Sequence, residues 1–165
     1  MAVIDVITYN GEKELFELRY NILKEHVDKF IVVEFDKTFS GKDKPNLFIR
    51  DFPETPSKVI YHRIYTIQYS KYIPQAIKSP QTVGAGHWKR EFCQKESIKN
   101  VLTELDDNDT VIIGDCDEIW DPNMLPSIKE PRKLKLRVYT YFLNNRSSEQ
   151  FWGTLVSKYK YIKRS

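Results

Sequence analysis

A chain of 165 residues can bury a sizeable core and is read most simply as one domain over residues 1–165. Its formal net charge of +3 is too small to argue for nucleic acid, and 41% hydrophobic with 30% charged residues is an ordinary soluble profile. No stretch is apolar and long enough to span a bilayer, "MAVIDVITYNGEKE" is not a secretion signal, and Cys93 and Cys116 form neither a disulfide framework nor a zinc spacing, so a reducing, cytoplasmic setting is expected.

In chain order, "AVIDVITY" reads as a strand buried on both faces, broken by Asn10-Gly11. Leu15, Leu18, Ile22 and Val27 then suggest one apolar stripe on a helix from about Glu12 to His26. "KFIVVEF" completes a βαβ unit, which implies a parallel pair. "NLFIRDF" and "KVIYHRI" suggest a helical turn and a third strand, and a long loop from Ile64 to Gly86 follows with no clear period. "HWKREFCQKESIKNVLTEL" restores helical spacing, "DDND" turns, and "TVIIG" is the next strand. Asp121-Pro122 offers an N-cap and a first-turn proline for a short helix to about Ile128. "KLKLRVYTYFLN" alternates as a strand with one wet face. The class is α/β, with a mostly parallel sheet and an antiparallel element near the C-terminus.

The chemistry concentrates in "TVIIGDCDEIWDP", where Asp115, Asp117, Glu118 and Asp121 follow a strand directly. In open α/β sheets ligands bind beyond the carboxyl ends of the strands. If the backbone stays extended, Asp115 and Asp117 face one way and Cys116 the other. Two carboxylates with open positions suit Mn²⁺ or Mg²⁺, which keep water or take phosphate oxygens. The plainer reading makes these residues turn caps and solvated acids. Two chemistries use the layout: sugar transfer from a nucleotide diphosphate, or an aspartyl phosphatase of the haloacid dehalogenase type with Asp115 as nucleophile. The phosphatase pattern wants Thr or Val where Ile119 stands, and places its acids behind the first strand, so it is the weaker alternative.

Four blocks, in order, resemble glycosyltransferase family 17: "YNGEKELFELRYNIL", "VDKFIVVEFDKTFSGKDKPNLF", "WKREFCQKESI" and "VIIGDCDEI". "RVYTYFLNNR" and "FWGTLV" resemble the family's later segments more loosely. The resemblance implies a GT-A-type (Rossmann-like) fold, a UDP-sugar donor with UDP-GlcNAc foremost, a divalent metal at a DxD motif, inversion at the anomeric carbon, and a glycan or other hydroxyl acceptor. Complete members run on past the Trp-Gly segment, whereas this sequence stops at Ser165. The acceptor site and the base are therefore expected to be missing or supplied differently, and a catalytically incomplete nucleotide-sugar-binding domain is the competing reading.

Within that frame Tyr9, Asn10 and Glu12 fall where a nucleoside would sit, with Tyr9 stacking on uracil or simply packing. Glu34 would meet ribose hydroxyls, or else form a salt bridge to Arg19 or a lysine. Lys44, beside a Gly turn, and Arg90, at a helix start, would face the diphosphate. Asp115, Cys116 and Asp117 complete the donor side, with Asp115 and Asp117 as metal ligands. An inverting transfer needs a carboxylate to take the acceptor proton, and Glu118 and Glu149 are the candidates. Tyr139, Tyr141 and Trp152 could form a sugar platform or pack in the core.

Overall fold

The computed structural model describes residues 1–73, 86–127, 130–139 and 145–163. Strand β1 (Val3–Thr8) leads into α1 (Lys13–Leu23), β2 (Lys29–Phe35), the short α2 (Leu47–Asp51) and β3 (Val59–Ile64). Then come α3 (Thr66–Tyr69), α4 (Gly86–Ser97), β4 (Thr110–Asp115), β5 (Arg132–Tyr139), β6 (Arg146–Lys158) and α5 (Tyr159–Ile162). The strand order β3-β2-β1-β4-β6-β5 is parallel through its first four strands and antiparallel through its last two pairs. This is the α/β arrangement expected from the sequence, mostly parallel with an antiparallel element near the C-terminus.

Alternation along the central strands divides the core in two. Ile7, Phe30, Val32 and Ile112 pack on one face with Phe16 and Leu23 of α1 and Phe48 of α2. Ile4, Val6, Ile31, Val33 and Val111 pack on the other with Cys93 of α4, Ile98 and Leu102. Strands apolar on both faces are what a parallel sheet covered on both sides requires.

Three elements depart from the sequence reading. Helix α1 buries Phe16, Arg19 and Leu23, while Leu15, Leu18 and Ile22 stay exposed. The stretch after Ile64 is helical over Thr66–Tyr69 and 3₁₀ over Ser70–Tyr72; Pro74, Pro80 and Gly84 lie outside the described residues. The 13-residue β6 enters the sheet between β4 and β5, where the sequence suggested no separate strand. Asp121 does cap, its carboxylate accepting the Asn123 N–H at 2.9 Å ahead of a 3₁₀ turn over Pro122–Ser127.

Candidate active site

Strand β4 ends at Asp115, and the chain then turns instead of staying extended. The Glu118 N–H donates to the Asp115 carbonyl at 3.0 Å, and the Ile119 N–H to the Asp117 carbonyl at 3.1 Å. Alternation therefore stops at Asp115, yet Asp115 and Asp117 still border one cavity. Cys116 points inward and packs in the core on the α1 side. Burial, with the charge of Glu12 added, pushes its thiol up to about 12. Its side chain is thus part of the core.

Arg19, expected at most as a salt-bridge partner for Glu34, pairs instead with Asp5 and holds this turn. Arg19, fully buried on α1, donates to Asp5 of β1 through Nε to Oδ2 and Nη2 to Oδ1, both at 2.7 Å. Its Nη1 donates to the carbonyls of Asp115 at 3.1 Å and Glu118 at 2.8 Å, and more distantly to that of Cys116. Trp120 Nε1 donates to Asp5 Oδ1 at 2.9 Å, closing the network behind the turn. Burial works against the Arg19 charge, but Asp5 outweighs it and the guanidinium pKa ends above its ordinary value. The signal was present: an Asp in the middle of an apolar strand and an Arg at helical spacing from Phe16 and Leu23. A buried charge needs a partner, and each of these residues is the other's.

A cavity of about 500 Å³ lies at the carboxyl ends of β1, β2 and β4, bounded by Asn10, Glu12, Thr38, Lys44, Asp115 and Asp117. Its volume is in the range of small-molecule sites. Asn10 donates its N–H to the Glu12 carboxylate at 2.7 Å, across Gly11 at φ 102°. Lys44 Nζ lies 3.3 Å from the Tyr9 carbonyl; burial lowers its pKa, against the opposing pull of Glu34 and Glu12.

Three expected donor contacts sit differently. Tyr9 borders the cavity, but its ring is buried edge-on against Phe16, Phe48 and Phe52, and its hydroxyl donates to Asp51 at 2.7 Å. No ring face remains for a base to stack on. Glu34 is fully buried and accepts the N–H groups of Leu47 at 2.9 Å and Phe48 at 3.1 Å, the Tyr61 hydroxyl at 2.9 Å, and the charge of Arg63 at 3.6 Å. It caps α2 and does not reach the cavity. Arg90 donates to the Phe39 carbonyl and packs over Gly41, where φ is 93° and a Cβ would fall 2.9 Å from its Nη2. Arg90 braces the loop after β2 from outside the cavity.

Past Asp115 a second cavity of about 240 Å³ is bounded by Glu118, Lys133, Phe151 and Trp152, sharing Thr8, Lys95 and Asp115 with the first. Glu118 Oε2 accepts the Thr154 hydroxyl at 2.9 Å and faces the Asp115 N–H at 3.3 Å. Gly114 and Gly153 make the room: a Cβ on Gly114 would fall 2.7 Å from Glu118 Oε2, and one on Gly153 would fall 2.8 Å from its Cδ. Trp152 is 57% exposed, which leaves its ring open to solvent and not in the core. Glu149 is carried elsewhere, to a depression on the β5–β6 hairpin beside Arg137 and Arg146, and is not brought to Asp115. Tyr139 is exposed and pairs in register with Arg146, while Tyr141 lies outside the described residues.

Among the described residues no three His, Cys, Asp or Glu side chains converge as a ready metal cage. The two carboxylates still suit a cation. Asp117 is exposed, with no hydrogen-bond partner for its carboxylate among the described residues, and Asp115 already holds the Lys95 ammonium 3.3 Å from Oδ2. A hard divalent ion that takes its other oxygens from water and phosphate fits such a set. Burial opposes the Lys95 charge, but Asp115 and then Glu91 raise its pKa overall.

The model of glycosyltransferase family 17 matches residues 1–165. Human and rat β-1,4-mannosyl-glycoprotein 4-β-N-acetylglucosaminyltransferases are each 27% identical over 117 residues, 71% of this chain and 21% of theirs. The chain thus spans about a fifth of the length of these curated relatives. Among solved structures, Francisella tularensis 2-C-methyl-D-erythritol 4-phosphate cytidylyltransferase aligns with a TM-score of 0.49 at 11% identity, over 99% of this chain and 76% of that one. Apo mouse xyloside xylosyltransferase 1 aligns at 0.48 and 9% identity, over 99% and 69%.

Proposed function

The chain belongs to glycosyltransferase family 17, and from that premise we propose that it transfers a sugar, GlcNAc foremost, from a UDP-sugar to a hydroxyl of a glycan or similar acceptor, with inversion. One observation carries the reading: two cavities meet at Asp115, one at the ends of the parallel strands and one beside Glu118 and Trp152. A nucleotide diphosphate in the first cavity would place its sugar at the entrance to the second.

The roles follow from position. Asn10, Glu12 and the Tyr9 backbone line the nucleoside end, and Lys44 brings a cation to the same cavity. Asp115 and Asp117 would hold Mn²⁺ or Mg²⁺, whose chemistry there is to neutralise the departing diphosphate. Glu118 borders the second cavity, with Oε2 steadied by Thr154. It would take the proton from the acceptor hydroxyl as that oxygen attacks the anomeric carbon from the face opposite the diphosphate. Trp152 offers an open ring for a sugar to stack on.

Calorimetry of UDP binding, with and without Mn²⁺, tests the donor half. Affinity that rises with Mn²⁺ supports the reading, and UDP binding indifferent to metal would sink it. Glu118→Gln tests the acceptor half: transfer from UDP-GlcNAc should fall about a hundredfold or more, within the range for loss of a general base, with UDP affinity unchanged.

A further inference from the structure

Lys95 sits on the last turn of α4, at the junction of the two cavities, with its side chain 44% exposed. Its Nζ lies 3.3 Å from Asp115 Oδ2 and 3.1 Å from Glu91 Oε1, one helical turn back. The other Asp115 oxygen, Oδ1, accepts the Thr8 hydroxyl at 2.8 Å. Both oxygens of the first acid are therefore engaged, one by a neutral donor and one by a cation. A divalent ion that binds Asp115 at Oδ2 meets the ammonium already there and competes with it. Glu91 then keeps the displaced charge paired, because the two residues are neighbours at i and i+4 on one helix face.

We propose that Lys95 is a resident cation of the acidic turn: it neutralises Asp115 in the metal-free chain, yields that carboxylate to an incoming divalent ion, and then faces the donor's diphosphate from Glu91. The first half concerns Asp115 and metal alone; the second rests on the donor reading above. Geometry favours the exchange over a fixed surface pair. A pair whose only role was to fasten α4 to the sheet has no need to stand where two cavities meet, and Glu91 gives the ammonium a place to go once Asp115 is given up. An ammonium on a four-carbon stem also shifts between partners readily.

The test titrates Mn²⁺ alone, then UDP at saturating Mn²⁺, into the wild-type chain, Lys95→Met, Lys95→Arg and Glu91→Gln, with thermal melting to confirm folding. Lys95→Met removes the competitor and should bind Mn²⁺ about fivefold more tightly, the most that a half-exposed ion pair ordinarily supplies. UDP should then bind more weakly by a similar factor. Lys95→Arg should stay near wild type in both titrations. Glu91→Gln should weaken Mn²⁺ binding, since the ammonium loses its second partner and stays on Asp115. Mn²⁺ affinity unchanged or reduced in Lys95→Met overturns the exchange, and UDP affinity unchanged or increased in that variant overturns the diphosphate contact. The two readings can fail separately. Mn²⁺-dependent UDP binding with Mn²⁺ affinity unmoved by Lys95→Met keeps the donor site and removes the exchange. A gain in Mn²⁺ affinity in a chain that never binds UDP keeps the exchange and removes the donor site.

Discussion

Strands β2 and β4 flank β1 in parallel, and each carries an acid at its carboxyl end: Glu34 on one, Asp115 on the other. In sequence the two look alike, an apolar run finishing on a carboxylate. In the fold they are opposites. Beyond β2 the first turn of α2 presents free backbone N–H groups, and the Glu34 carboxylate turns in to satisfy those of Leu47 and Phe48. Beyond β4 the backbone presents carbonyls, and the Arg19 guanidinium takes them from inside. The Asp115 side chain is left 45% exposed at the cavity, whereas Glu34 is fully buried. An acid at a strand end is open to ligand when something else satisfies the neighbouring backbone.

Substitution of Arg19 should have the largest effect on stability. Arg19→Met leaves Asp5 charged and buried without its cation, and takes from the Asp115 and Glu118 carbonyls the charged donor that reaches them from inside. Removing one member of a buried ion pair costs about 3–5 kcal/mol. Urea denaturation should show a loss of that size, and Asp5→Asn in the same chain should recover part of it. A loss below about 1 kcal/mol would mean that the turn stands without its brace.

Glu34→Ala comes next. It strands two backbone donors at the start of α2 and the Tyr61 hydroxyl, which puts the expected loss at about 1–3 kcal/mol by urea denaturation. Because Glu34 does not border the cavity, Mn²⁺-dependent UDP affinity should hold steady. The reverse pattern, stability kept and UDP affinity lost, would return Glu34 to the ribose and erase the contrast with Asp115.

The same pair explains how far the sequence could be read. The parallel strands were legible because strands covered on both faces need unbroken apolar runs, and these runs stand out. The acidic turn was legible as the end of a strand, and the fold places its Asp115 and Asp117 beside a cavity. The α1 face was not: Leu15, Leu18 and Ile22 match helical spacing as well as Phe16, Arg19 and Leu23 do, and a stripe centred on an arginine scores as polar. Only the fold brings Asp5 beneath that arginine. Strand β6 was hidden for a related reason, since "RSSEQ" and Gly153 carry little strand propensity of their own and tertiary pairing with β4 and β5 overrides it. The Glu34 cap was equally out of view, because no pattern in β2 shows which donors a later helix will bring.

At the small end of the stability scale stands Asp117→Ala. The Asp117 side chain is exposed, and among the described residues its carboxylate holds no hydrogen bond, so its removal should move stability by less than about 0.5 kcal/mol. If it shares a cation with Asp115, the same substitution should abolish the Mn²⁺-dependent part of UDP binding in calorimetry and leave the metal-free part intact. Glu34→Ala and Asp117→Ala would then be mirror images: one costs stability and spares affinity, the other spares stability and costs affinity. Asp115→Asn should fall beside Asp117→Ala in the metal titration, yet lose slightly more stability, because its carboxylate also receives Thr8 and Lys95. Asp117→Ala that keeps metal-dependent UDP binding would reduce the acidic turn to a braced, solvated loop, and the exposed carboxylate of β4 would then be no more functional than the buried one of β2.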